Sequence, residues 1–377
     1  MKTNKIELLK KSRNIVVKIG TSILTEISNG YPQITDKHIS SIIKSTSKHF
    51  EKRNFSIVSS GAVGFGMSVL NLKTKPKEIS EKQAAAAIGQ NKLMQMYENI
   101  FSKYKKVIAQ ILLTQPELMG RQQYLNAVNT LNSLFKIKAV PIINENDTVA
   151  IDELKFGDND KLAAMVGAMI NADLIILLTN IDGLLNNINE PDSLIEDVKK
   201  LTPELFEICG CASNNATTGG MKSKLIAADI ATSSGIPMII ANGYEPDIID
   251  KILNCRFKGT FFYPADKIIS PRKRWIKFNL KPKGKIFIDA GAVSAIQKNK
   301  SLLATGITAC EGFFKKGECV AVYDNKSNLK IAVGLCNYDS DALNLIKGLK
   351  SQDIKKKLGE NDTPEVIHID NMVMKTL

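Results

Sequence analysis

The chain has 377 residues, 44% hydrophobic and 24% charged, with a net charge of +13. That length allows two domains, and the composition excludes disordered and fibrous classes. No window reaches the ~18 uninterrupted apolar residues of a membrane span. The basic N-terminus lacks the apolar core and small-residue cleavage site of a secretion signal, so a cytoplasmic protein without a membrane partner is expected.

The first element is announced by NIVVKIGTSIL (14–24), whose β-branched run predicts a buried strand over 14–19. Lys18 sits near its end. A buried ammonium is costly unless something negative meets it; otherwise the strand stops at Val17 and the lysine snorkels to water. A helix-like stretch near 36–52 follows, then a strand at 55–60 running into GAVGFG. A long helix is predicted near 80–103, a strand at 107–113, a helix at 121–136 and a strand at 139–144. Helix 159–171, strand 172–179, a polar hairpin region near 180–200, helix 219–234, strand 237–241 and helix 246–254 complete the series. Alternating strands and helices predict an α/β domain with a mainly parallel sheet and helices on both faces. Residues 264–274, with Pro271 and a basic cluster, read as a linker. Beyond it KGKIFIDAGAVSAI, GECVAVYD and KIAVGLCNY read as short strands separated by turns, a small mostly-β domain over 275–377.

In such sheets ligands bind beyond the carboxyl ends of the strands. Four polar or glycine-rich segments fall there: KIGTS, SSGAVGFG, NENDTVA and LLTNIDGL. SSGAVGFG (59–66) has the spacing GxxGxG, neither the dinucleotide fingerprint nor a Walker loop. Its amides suit an anion, and tight packing needs the same glycines. Residues 143–164 gather Asn144, Glu145, Asn146, Asp147, Asp152, Glu153, Asp158, Asn159 and Asp160. Asp158 reads as a helix cap; the rest suit a metal without EF-hand spacing, or a small cationic group such as an ammonium. TTGGMKSK (217–224) places glycines and two lysines at a helix start, where phosphate is favoured. Lys222 and Lys224 point roughly 200° apart on a helix, so one of them faces a ligand. Together the segments fit phosphoryl transfer, which needs positive charge on the moving group and little covalent work.

Six cysteines form no CxxC pair, and Cys209–Cys211 has no histidine nearby, so scattered reduced thiols are expected. His38, His49 and His368 lie outside the motifs, which argues against histidine base chemistry. Residues 267–377 carry 20 Lys and Arg against 11 Asp and Glu. That fits a polyanion partner or a solvated basic surface.

The ordered set VVKIGTS, VSSGAVGFG, INENDTVA, GDND, LLTNIDGL and TGGMKSK resembles the amino acid kinase family, in the branch that phosphorylates glutamate. RKRWI, GAVSAI, SLLATGI, FKKGE and YDSDAL resemble the PUA domain that follows the kinase in bacterial members. The resemblance implies a three-layer amino acid kinase domain over 1–263 and a PUA domain over 275–377. It implies transfer from ATP, with Mg²⁺, to the side-chain carboxylate of L-glutamate, opening proline synthesis under proline feedback. Lys18, Lys224 and Asp160 would be catalytic. Ser60, Gly61, Asn144, Asp147 and Asn159 would hold glutamate. Lys18, Gly20, Thr179, Asn180, Gly183, Thr218, Gly219, Gly220, Met221 and Lys224 would line ATP, with no metal held by the protein. Gly20 and Gly61 would offer backbone amides to phosphate and substrate oxygens. The family usually has Asp where this chain has Asn180, and often Tyr in place of Leu185. A homo-oligomer, dimer or tetramer, and a transient contact with a glutamyl phosphate reductase belong to the same expectation.

Two alternatives stay open at this level. One is the same chemistry on another acceptor, against which the acidic and amide cluster favours a free ammonium. The other is RNA binding through the basic C-terminal domain, which predicts a steep salt dependence.

Overall fold

The computed structural model describes residues 4–28, 31–150, 158–186, 190, 193–211, 220–266, 268–358 and 364–374. The chain divides into two compact units, Met1–Ile268 and Ile269–Leu377. The division falls inside the stretch expected as a linker. Residues 271–274 of that stretch open helix Pro271–Asn279 instead, because Ser270 caps it and Pro271 is preset for the first turn.

Among the described residues the first unit has ten strands. They are β1 (Asn14–Ile19), β2 (Thr25–Ser28), β3 (Tyr31–Ile34), β4 (Asn54–Ser59), β5 (Ile108–Leu113), β6 (Val140–Glu145), β7 (Leu174–Thr179), β8 (Asp197–Val198), β9 (Met238–Asn242) and β10 (Gly259–Phe262). β2 and β3 make a separate hairpin, and the rest form one sheet in the order β5-β6-β4-β1-β7-β9-β10-β8. Every neighbouring pair is parallel except β9 with β10. The central strand β1 lies between β4 and β7, so the order reverses there and a crevice opens above its carboxyl end. Along β1, Ile15, Val17 and Ile19 enter the main core with Phe55, Ile57, Ile142 and Ile176. Strand alternation turns Lys18 to the opposite face, against which helix Asn159–Met169 packs.

Several elements escape sequence reading: helix Lys5–Lys11, the β2–β3 hairpin and helix Pro203–Cys211. SSGAVGFG carries a turn and a packing surface at once. Gly61 is left-handed at φ 99°, and helix Ala62–Val69 starts directly after it. A Cβ on Gly66 would lie 1.8 Å from the Ala85 carbonyl oxygen, and one on Gly89 1.8 Å from that of Ala62. Helix Ile79–Ser102 therefore rests backbone to backbone on helix Ala62–Val69.

The second unit holds a five-stranded sheet of β11 (Gly284–Ile288), β13 (Ile307–Glu311), β14 (Cys319–Asp324), β15 (Lys330–Leu335) and β17 (Met372–Met374). β12 (Leu302–Leu303) pairs with β16 (Glu365–Ile367). One expectation is corrected: GAVSAI is not strand but most of helix Ala290–Gln297. The Asp289 side chain accepts from the Ala292 amide at 2.7 Å and starts that helix.

Candidate active site

The carboxyl ends of β6, β4, β1 and β7 stand side by side and deliver Asn144, Ser60, Lys18 and Thr179 to one crevice. Two helices begin there, Asn159–Met169 and Met221–Ser233. Asp160 is fully buried, and Lys18 and Lys224 are each 5% exposed. Lys18 Nζ lies 2.5 Å from Asp160 Oδ1, and Lys224 Nζ 2.8 Å from Asp160 Oδ2. Lys18 thus meets a carboxylate and does not snorkel. Lys222 is exposed while Lys224 is buried, as their angular separation requires.

Asp158 does cap its helix, accepting from the Asp160 amide at 3.1 Å. It does more than that: Oδ2 accepts from Ser223 Oγ at 2.5 Å, and Oδ1 is 3.8 Å from Lys18 Nζ. The two carboxylates are driven apart electrostatically. Burial, then the neighbouring charge of Asp160, pushes the Asp158 carboxyl above its ordinary range. Burial works the same way on Asp160, but the charges of Lys18 and Lys224 overcome it and hold that carboxyl below the ordinary range.

Beside this charged trio lies an amide network. Asn159 Nδ2 reaches Ser59 O at 2.8 Å, Ser60 Oγ at 3.0 Å and Asn144 Oδ1 at 2.9 Å. Asn144 Nδ2 in turn donates to Gln90 Oε1 at 2.9 Å. Asp147 sits half-buried in the turn that leaves β6. Consecutive residues Asn159 and Asp160 therefore serve two neighbouring environments, one of amides and one of ammonium groups.

The other expected positions fall as follows. The Gly20 amide is not free for a phosphate, because it donates to Leu178 O at 3.3 Å. A Cβ on Gly20 would make only ordinary contacts, 3.5 Å from Leu178 O and 3.7 Å from Lys18 Nζ, so packing alone does not demand this glycine. Gly61 supplies the left-handed turn beside Ser60. Gly183 is demanded by packing: a Cβ would meet Thr260 Oγ1 at 2.5 Å. Thr179 is buried at the end of β7, and Asn180 is exposed. Gly220 caps helix Met221–Ser233, with Met221 at its first position. Thr218 and Gly219 lie outside the described residues, as do Thr217, Asp152 and Glu153. Gln90 and Ser223 escape sequence reading: Gln90 sits in no motif, and Ser223, inside TTGGMKSK, is overshadowed by the lysines and glycines beside it.

A family model described as the amino acid kinase family matches residues 13–242, and a PUA domain model matches residues 284–358. The chain belongs to the amino acid kinase family. Curated relatives of this kinase are similar along nearly their whole length. A glutamate 5-kinase of Thermoanaerobacter sp. (strain X514) is 47% identical over 366 residues, covering 96% of this chain and 97% of that one. The glutamate 5-kinases of Moorella thermoacetica and Microcystis aeruginosa are 41% and 42% identical, covering 97% and 96% of this chain and 97% of each relative. The kinase domain accounts for the mainly parallel sheet, and the PUA domain lies in the second unit.

Proposed function

We propose that this amino acid kinase transfers the γ-phosphoryl group of ATP to the side-chain carboxylate of L-glutamate, forming L-glutamyl 5-phosphate. The observation that carries this is the buried Lys18–Asp160–Lys224 trio, set directly beside the Ser60–Asn159–Asn144 amide network. Two ammonium groups held by one carboxylate make a fixed positive site for a phosphoryl group with charge spread over its oxygens. Full-length similarity to glutamate 5-kinases supports glutamate as the acceptor.

An ionised oxygen of the acceptor attacks the γ-phosphorus, the bond to the β,γ-bridging oxygen breaks, and ADP leaves with that electron pair. No proton has to move, because the attacking carboxylate is already charged at neutral pH. Lys18 faces the transferring group from the strand, Lys224 bridges toward the nucleotide from the helix start, and Asp160 holds both. Ser60, Asn144, Asn159 and Asp147 hold the amino acid, with Gly61 allowing its close approach. Thr179, Asn180, Gly183, Thr218, Gly219, Gly220 and Met221 border the nucleotide. ATP enters as its magnesium complex. Asp160 is occupied by two lysines, so no step is assigned to an ion on it.

The same reading makes this the first reaction of proline synthesis, in the cytoplasm where ATP and glutamate are available. It includes proline inhibition at or overlapping the glutamate site, a dimer or tetramer, and hand-over of the labile acyl phosphate to a reductase. Hydroxylamine trapping with ATP, Mg²⁺ and L-glutamate tests it, beside aspartate, N-acetylglutamate and a no-acceptor control. Glutamate-dependent hydroxamate that proline suppresses is expected. Turnover with a different acceptor alone would overturn the substrate assignment.

A further inference from the structure

The acceptor side of the site is held from behind by a helix that no motif marks. Gln90, on helix Ile79–Ser102, is 8% exposed. Its Oε1 accepts from Asn144 Nδ2 at 2.9 Å. Seven residues earlier, Gln83 Nε2 donates to Ala150 O at 3.3 Å. Seven positions are two helical turns, so both side chains leave the same face about 10 Å apart. They grip the two ends of one segment, from Asn144 near the end of β6 to Ala150 beyond the turn, and Asp147 lies between the grips.

Gln90 also fixes a polarity. Asn144 Oδ1 accepts from Asn159 Nδ2 and from the Glu145 amide, both at 2.9 Å. Turned over, the Asn144 amide would face these two donors with a donor of its own and would lose both bonds. The Gln90 oxygen makes the observed orientation the one in which both ends of the Asn144 amide have partners. Gln90 Nε2 is buried and has no hydrogen-bond partner among the described residues, so this side chain is engaged through its oxygen.

We propose that Gln90 and Gln83 are positioning residues for the acceptor: together they clamp the 144–150 segment, and Gln90 sets the Asn144–Asn159–Ser60 amide relay. This depends on the functional reading above, since it assigns the acceptor to that network. Glutamate and ATP saturation curves for Gln90→Met, Gln90→Glu and Gln83→Met, run beside the wild type in the hydroxylamine assay, test it. Gln90→Met is expected to raise the glutamate KM at least tenfold and leave the ATP KM within twofold. Gln90→Glu keeps an acceptor for Asn144 but presents a negative charge, and is expected to raise the glutamate KM further. An unchanged glutamate KM in Gln90→Met, or equal shifts for both substrates, overturns the proposal. If Gln90→Met does not fold, the half-buried Gln83→Met decides, with about a threefold rise in glutamate KM alone expected and no change overturning the clamp. Wild-type protein without glutamate turnover would sink the functional reading itself, whereas unaffected variants beside an active wild type sink only the clamp.

Discussion

The carboxylate of Asp160 lies 2.8 Å from the ammonium of Lys224, 64 positions further along the chain, and its second oxygen is taken by Lys18. One fully buried anion thus serves two cations drawn from different strand-helix units. Removing it leaves two buried ammonium groups facing each other. Asp160→Asn should lose about 3 kcal/mol of stability, the scale seen when one partner of a buried ion pair is deleted. Added ATP or inorganic phosphate should recover more melting temperature in this variant than in the wild type. Thermal unfolding with and without the anion measures both effects.

Lys18→Ala should act on rate more than on binding. A charge aimed at the transferring group is worth about 10²–10³ in kcat when removed. Steady-state hydroxamate formation with both substrates saturating is the measurement. Near-normal turnover would mean that Lys18 serves only to neutralise Asp160.

Asp147→Ala should separate the substrates. Asp147 stands half-buried in the turn after β6, the strand that carries Asn144. The glutamate KM is expected to rise far more than the ATP KM. Equal increases would move Asp147 out of the acceptor site.

The two neighbouring aspartates predict opposite pH signatures. Asp160, held below its unfolded pKa, contributes stability that is present above the ordinary carboxylate range and lost as pH falls through its folded value. Asp158, pushed up, favours the fold when neutral, an advantage lost as pH rises through its folded value. Asp160 and Lys18 are the charges that face it, with Ser223 donating to it. Asn is itself a good helix cap. Asp158→Asn should therefore keep helix Asn159–Met169 and melt higher than the wild type at pH 7, with a flatter profile above pH ~4. Melting curves from pH 4 to 8 decide it, and a lower melting point at pH 7 would show that the charge of Asp158 is needed beside Lys18.

Much of this was legible in the chain. β1, β4, β6 and β7 are β-branched or apolar runs, and each carries its chemical residue at the carboxyl end, where a parallel sheet gathers them. That only one of Lys222 and Lys224 faces the crevice followed from helical geometry, and the resemblance picked Lys224. What escaped was information carried by distant partners. Nothing local distinguishes Gln90 from the exposed polar residues beside it, because its role exists only once β6 lies behind its helix. Asp158 read as a cap because the Ser223 hydroxyl that meets it is 65 positions away. GAVSAI looked like a strand because its small and branched residues fit either state, and only the Asp289 cap tips it to helix. The resemblance sets Gly20 and Gly183 against the nucleotide, but the Gly20 N–H is engaged by Leu178 O and packing against the Thr260 hydroxyl demands a glycine at 183.

The glycine contact between helices Ala62–Val69 and Ile79–Ser102 has a mechanical consequence. With no side chain between Gly66 and Ala85, or between Gly89 and Ala62, there is no soft layer to absorb a displacement. One helix springs from the turn beside Ser60, and the other carries Gln83 and Gln90. Close-packed backbones yield little to strain, so the pair forms a stiff bracket joining that turn to the helix that carries these glutamines.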